Sequence, residues 1–193
     1  MDMLSARSAD AAASDGQLLA RIARGDKDAV TALYRRLERP LFAFLVKTLR
    51  DREAAADVLN ETMLDVWRQA GRFEGRSTVS TWLMSIARYK ALAARRRRTD
   101  AELDEHIEAT VADTSDDPET ALAKKTRNEV LRRALTRLSS EHRQIIDLVY
   151  YHEKSVEEAA QILQVPAATV KTRMFYARQK LRVLLGQRGE QAL

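Results

Sequence analysis

The sequence predicts an all-α protein: two small helical bundles joined by an acidic flexible linker, the second bundle containing a helix-turn-helix. Three observations carry this expectation. Six glycines and three prolines in 193 residues are too few turn-formers for a many-stranded sandwich or barrel. Apolar residues recur three and four apart between residues suited to capping helices. Between Thr99 and Thr120 lie nine Asp and Glu with no Lys or Arg, and few large apolar side chains to bury. The whole chain is +5 and this segment −9, which leaves +14 on the remainder. Two basic bodies flank an acidic middle.

Residues 1–14 carry no helical pattern and read as a disordered N-terminus. The first bundle, 15–98, begins at Ser14-Asp15-Gly16-Gln17, a capping box that opens a short helix through Leu18, Leu19 and Ile22, closed at Gly25. Asp26 caps a second helix with Val30, Leu33, Tyr34 and Leu37, expected to stop at Pro40. Leu41 to Leu49 is nearly all apolar and reads as a third, central helix. Asp51 opens a fourth, in which Leu59, Met63, Val66, Trp67 and Ala70 keep helical spacing up to Gly71. After a loop, Ser77 or Thr78 caps a long helix with Val79, Trp82, Leu83, Ile86 and Ala93 inward, ending in Arg95-Arg96-Arg97-Arg98. The linker then occupies 99–117. Asp117-Pro118, a cap followed by proline at the first helical position, starts the second bundle over 118–187. Its first helix turns Leu131, Ala134, Leu135 and Leu138 inward. Ser139 caps the next, with Ile145, Ile146 and Val149 buried. Ser155-Val156-Glu157-Glu158 is a further capping box, opening a short helix with Ala159, Ile162 and Leu163. A Gln164-Val165-Pro166 turn leads into a last helix, Ala167 to Leu185, and 188–193 form a tail.

Several function classes are set aside by composition. A hydrophobic fraction of 45% suffices for a core, yet no apolar run approaches the ~18 residues of a membrane span. The N-terminus lacks the apolar stretch of a secretory signal. No cysteine means no disulfide framework and no thiolate nucleophile or zinc site. The expectation is a cytoplasmic protein without membrane insertion. His106, His142 and His152 sit in the linker, on an exposed helix face and in a turn, without metal-ligand spacing. Acidic pairs such as Glu157/Glu158 suit a helix N-terminus offsetting the dipole. No catalytic residue, metal ligand or cofactor site is expected, and no enzymatic activity. A pI near 9.6 points to an anionic partner.

Three surfaces stand out. In the helix-turn-helix from Ser155 to Lys180, Val170, Met174, Ala177, Leu181 and Leu184 mark the buried face of the second helix. Thr172, Phe175, Tyr176 and Gln179 lie opposite, flanked by Thr169, Lys171, Arg173, Arg178 and Lys180. Six basic residues and no acidic one fall between Val165 and Gly189, a composition suited to a duplex groove. A second basic patch runs from Arg72 to Arg98, with Arg88 and Arg95 on one helix face. Phe73, Trp82 and the Gly75-Arg76-Ser77-Thr78 loop add the aromatic and flexible groups that unpaired bases stack on. Third, Asp57, Glu61, Leu64, Asp65 and Arg68 recur on one helix face, and an apolar group among carboxylates there suggests a protein partner.

Asp57-Val-Leu-Asn-Glu-Thr-Met-Leu-Asp-Val-Trp67, then Phe73-Glu-Gly-Arg-Ser-Thr-Val-Ser-Thr-Trp-Leu83 and Ile86-Ala-Arg88, resemble domain two of bacterial RNA polymerase sigma factors of the extracytoplasmic-function group. Leu138-Ser-Ser-Glu-His-Arg143, Ser155-Val-Glu-Glu-Ala-Ala160 and Thr169-Val-Lys-Thr-Arg-Met174 to Ala177-Arg178 are similar to domain four. The resemblance implies a dissociable initiation factor, monomeric outside its complexes, with core RNA polymerase, promoter DNA (duplex and melted) and an anti-sigma factor as partners. It implies that Asp57, Glu61, Leu64, Asp65 and Arg68 dock on core polymerase. Phe73, Gly75, Arg76, Ser77, Arg88, Arg95 and Arg96 would melt and read the minus-ten element. Thr169, Lys171, Thr172, Arg173, Tyr176 and Arg178 would read the minus-thirty-five element, and the acidic linker would mimic RNA in the transcript exit path. Tyr89, Ala93, Gln164 and Ala168 depart from the pattern, where asparagine, aspartate and two glycines are common. Tyr89 is suited either to stacking on a base or to packing inside the bundle. Two other readings use the same residues: a stand-alone helix-turn-helix repressor, and a sigma-like decoy that binds regulators without DNA.

Overall fold

A computed structural model describes residues 13–101 and 129–186, which fall into two compact units. Every regular element among the described residues is helical. The first unit holds α1 (Asp15–Ile22), α2 (Lys27–Leu49), α3 (Arg52–Gln69), a 3₁₀ turn at Ala70–Arg72 and α4 (Val79–Ala101). The second holds α5, helical over 129–136, then α6 (Ser140–Ile146), a π-helical turn at Asp147–Tyr151, α7 (Val156–Leu163) and α8 (Ala167–Gly186).

The capping expectations translate into geometry. Ser14 Oγ accepts from the Gln17 amide while Gln17 Oε1 accepts from the Ser14 amide, completing the capping box of α1. Gly25 closes the turn after α1 at φ 87°, a region side chains other than glycine rarely enter. Asp26 caps α2 through the amides of Asp28 and Ala29, and Asp51 caps α3 through those of Glu53 and Ala54. Of the two candidates at α4, Thr78 is the cap: its Oγ1 accepts from the Thr81 amide at 3.3 Å.

Boundaries differ from the sequence expectation at two helices: α4 runs on to Ala101, past Arg98 and into the stretch expected as linker, and α2 crosses a proline. Pro40 does not end a helix; α2 runs unbroken from Lys27 to Leu49. An internal proline costs about 3 kcal/mol or more. Against this, Leu33, Leu37, Leu41, Phe44 and Leu45 form one buried face that crosses the proline, each contributing roughly 1.5–3 kcal/mol. Packing outweighs the missing donor. α2 thereby becomes the central helix, against which α1, α3 and α4 all pack. α4 buries more than the stripe read from the sequence: Met84, Ala87 and Ala91 join Val79 and Leu83 in the core, whereas Trp82, Ile86 and Ala93 are half-buried. Small alanines let it sit closely against both α2 and α3.

In the second unit Leu138, Ile146 and Ala177 form the centre, with Leu135 and Leu181 packed against them. Arg143 fastens the end of α5 to α6 by donating to the carbonyls of Leu135, Thr136 and Leu138 at 3.0–3.2 Å. The π turn after α6 is a feature the apolar spacing does not encode, and it leaves Val149 half-buried rather than buried. Two histidine expectations change here. His142 is half-buried, and His152, although in a turn, has a nearly buried side chain 3.3 Å from Asp147. His106 and the Asp117-Pro118 start lie outside the described residues.

Candidate functional site

The outward face of α3 follows from its inward one. Ala55, Val58, Leu59, Thr62, Met63 and Val66 are buried, so the opposite positions must face solvent. Asp57, Glu61, Leu64 and Arg68 are exposed and Asp65 is half-buried. The structure brings all five sequence-predicted residues onto one strip. Leu64 is 55% exposed, so it lies on the solvent side of the helix among charges and not in the core. Lys90, absent from the sequence reading, reaches over from α4. Its Nζ lies 2.8 Å from Asp65 Oδ2 and 3.4 Å from Glu61 Oε2. Its hydrogen bond to Asp65, reinforced by both carboxylates against partial burial, raises the Lys90 pKa above the ordinary lysine value. No periodicity within α3 announces a cation supplied by another helix.

The loop before α4 is anchored rather than loose at its start. Phe73 is half-buried, its ring centroid 5.3 Å from that of Trp82. Gly75 sits at φ 70° with open space around it; the backbone conformation, not crowding, calls for glycine there. Arg76 pairs with Glu74, and Ser77 Oγ donates to the Thr78 carbonyl at 3.3 Å. Along α4, Arg88 is half-buried while Arg95, Arg96 and Arg97 are exposed. Arg98 is different: it pairs with Asp51, the cap of α3, and so closes the end of the bundle. Tyr89 is 65% exposed. Of its two sequence readings, packing inside the bundle is excluded.

The helix-turn-helix is built as its sequence suggests. Ser155 and Glu158 exchange capping hydrogen bonds at 3.0 and 3.1 Å. Gln164 turns the chain at φ 54°, the left-handed region where glycine is the easy choice, and the Val165 amide reaches back to the Ala160 carbonyl at 3.1 Å. α8 then buries Val170 and Ala177, half-buries Met174, Leu181 and Leu184, and turns Lys171, Thr172, Phe175, Tyr176, Arg178 and Gln179 to solvent. Thr169 and Arg173 are half-buried at the edges of this strip. Arg173 Nη2 stands 4.0 Å from Glu141 Oε1. Arg178 Nε donates to the Tyr150 hydroxyl at 2.8 Å. Phe175 and Tyr176 meet edge to face at 5.5 Å. All the aromatics among the described residues of this unit (Tyr150, Tyr151, Phe175, Tyr176) are more than half exposed. Their cost in exposed apolar area is what a binding surface tolerates and a core does not. Tyr150 and Tyr151 were missed because an apolar pair after an amphipathic helix reads as core.

No helix among the described residues is long and apolar enough to cross a membrane. Against family models, residues 33–100 match Sigma-70 region 2 and residues 134–183 match Sigma-70, region 4. The ECF RNA polymerase sigma factor SigM of Mycobacterium tuberculosis is 37% identical over 90% of this chain and 85% of its own length. The RNA polymerase sigma-H factor of Pseudomonas aeruginosa is 31% identical over 86% of this chain and 91% of its own. Among solved structures, the sigma factor RpoE of Bartonella quintana, crystallised with the anti-sigma factor NepR, aligns with a TM-score of 0.62 at 26% identity over 79% of this chain and 94% of that one. CnrH in complex with the cytosolic domain of CnrY aligns at a TM-score of 0.64 and 22% identity, over 91% and 99% of the two chains; this is a likeness of fold.

Proposed function

The chain belongs to the extracytoplasmic-function group of RNA polymerase sigma factors, and from that premise we propose how its surfaces divide the work of initiation. It binds core RNA polymerase and directs promoter recognition, strand opening and the start of transcription. Its contribution is specificity, with the polymerase supplying the catalysis. The α3 strip of Asp57, Glu61, Leu64, Asp65 and Arg68 is the core-docking face. The loop from Phe73 to Ser77, with Arg88, Arg95 and Arg96 of α4, opens and reads the minus-ten element. Within that group Phe73 anchors the loop through Trp82, and Gly75, Arg76 and the exposed arginines meet the DNA. Lys171, Thr172, Tyr176 and Arg178 of α8, with Thr169 and Arg173 at its edges, read the minus-thirty-five element. An anti-sigma factor holds the protein inactive until a signal arrives, in keeping with the NepR complex of the 26%-identical RpoE. The protein acts in the cytoplasm.

The observation that carries this reading is the pairing of unlike strips: an acid-and-leucine face on one unit, and a basic-and-aromatic helix on the other. A protein partner suits the first and a duplex groove the second. Reconstitution tests it. Purified chain and core polymerase together should give run-off transcripts from a cognate duplex promoter that neither gives alone. Tight duplex binding by the chain without polymerase, and no transcript, would favour a repressor. Core association without transcript on any promoter would favour a decoy.

A further inference from the structure

We propose that Lys90 is a positioning residue of the core-docking face: from α4 it holds the carboxylates of Asp65 and Glu61 in the pose that polymerase engages. The proposal rests on the assignment of α3 as the docking face. Glu61 and Asp65 are one helical turn apart, and like charges at that spacing repel. Left to themselves, both carboxylates would swing apart into solvent. Lys90 prevents this. Its ammonium stands 2.8 Å from Asp65 and 3.4 Å from Glu61, with the lysine side chain only 19% exposed and that of Asp65 23% exposed. A compact ammonium with three rotatable donors can serve two carboxylates at once.

Each carboxylate accepts through one oxygen from Lys90, so its outer lone pairs stay available to a second donor from a partner. Arg68, on the same face, is 3.9 Å from Asp65 and too far to replace the lysine. The raised Lys90 pKa agrees with an ammonium that stays charged in this setting. Without Lys90, a half-buried Asp65 would lose its closest counter-charge and the docking face its fixed geometry. Helix α4 carries the groups assigned to strand opening, so one cation ties the two surfaces of this unit together.

The test compares Lys90→Met, Lys90→Arg, Asp65→Asn and the Lys90→Met/Asp65→Asn double variant of the full chain. Core affinity is measured by competition with wild type, and thermal stability on the same samples. Lys90→Met should weaken core binding about tenfold, and Lys90→Arg should recover part of the loss. Asp65→Asn added to Lys90→Met should cost no more than about a further twofold, because both changes remove one arrangement. The double variant should also regain thermal stability without regaining affinity, a split that a purely structural lysine would not produce. Wild-type core affinity in folded Lys90→Met, or fully multiplicative losses in the double variant, would overturn the proposal. Asp57→Arg serves as the reference, since Asp57 shares the face without sharing Lys90. If it abolishes binding while Lys90→Met does not, the face stands and the lysine's role falls. If Asp57→Arg also binds normally, the face itself is misassigned and the proposal falls with it.

Discussion

Asp51 shows how one side chain in this protein holds two elements. Its carboxylate caps α3 through the Glu53 and Ala54 amides at 2.9 and 3.0 Å and also accepts from Arg98 at the far end of α4. The Arg98 hydrogen bond, followed by that from Ala54, holds its pKa below the ordinary aspartate value. A carboxyl depressed on folding stabilises the native state above its unfolded pKa, near 3.8. That contribution drains away as pH falls through the lower folded value. Asp51→Ala should therefore lower stability by about 1 kcal/mol at neutral pH, the usual worth of an aspartate cap. Asp51→Asn should lose less, because an amide oxygen still caps. Thermal unfolding followed by circular dichroism from pH 7 to pH 3 checks both: the gap between wild type and Asp51→Asn should close as the pH drops below 4. A gap constant over that range would mean that Arg98 contributes nothing through this charge. Tyr89 is the opposite kind of residue, an aromatic 65% exposed on α4, with most of its ring left outside the bundle.

On the proposed reading, helix α8 makes two kinds of contact. Lys171 is exposed on the outward strip, whereas Arg173 lies half-buried at its edge beside Glu141. A lysine on a phosphate contributes alike for every sequence, and its removal should reduce the slope of log affinity against log salt by about one. An arginine bidentate to guanine supplies roughly 1–3 kcal/mol of discrimination. Lys171→Ala should thus weaken all minus-thirty-five variants equally, and Arg173→Ala should relax preference at one base pair, both read by binding of the holoenzyme to a panel of duplexes. Unaltered selectivity for Arg173→Ala would place another residue, Tyr176 or Arg178, in the groove. What could be read in advance at this scale was whatever is local. The caps at Ser14, Asp26, Asp51, Ser139 and Ser155, and the outward strips of α3 and α8, are written within a few residues of sequence. What escaped reading depends on a neighbouring element. Pro40 was outvoted by a buried face that only the packed bundle completes. Lys90 and Tyr150 find Asp65 and Arg178 across gaps that no spacing rule spans.

For the molecule as a whole, the proposed division of work gives reading closed base pairs and receiving an opened base to different units. Their failures should therefore be separable. Opening costs a few kcal/mol for a base that leaves the stack, and the energy must come from contacts the closed duplex cannot make. On that proposal the 74–77 loop makes such contacts. Phe73 and Trp82 fix its entry and the Thr78 cap fixes its exit. Between them the Gly75 turn and the Arg76 side chain, 79% exposed, face solvent. Replacing residues 74–77 with a foreign loop keeps both anchors, so the bundle should remain folded and core binding through α3 intact. Run-off transcription from duplex promoters should then fall to background. A template with its minus-ten bubble already melted should restore part of the activity, because the opening cost has been removed beforehand. A change in α8 should behave in reverse, with a defect in duplex recognition that premelting does not relieve. Normal initiation from duplex templates after the loop exchange would take strand opening away from this loop and assign it to α4 alone.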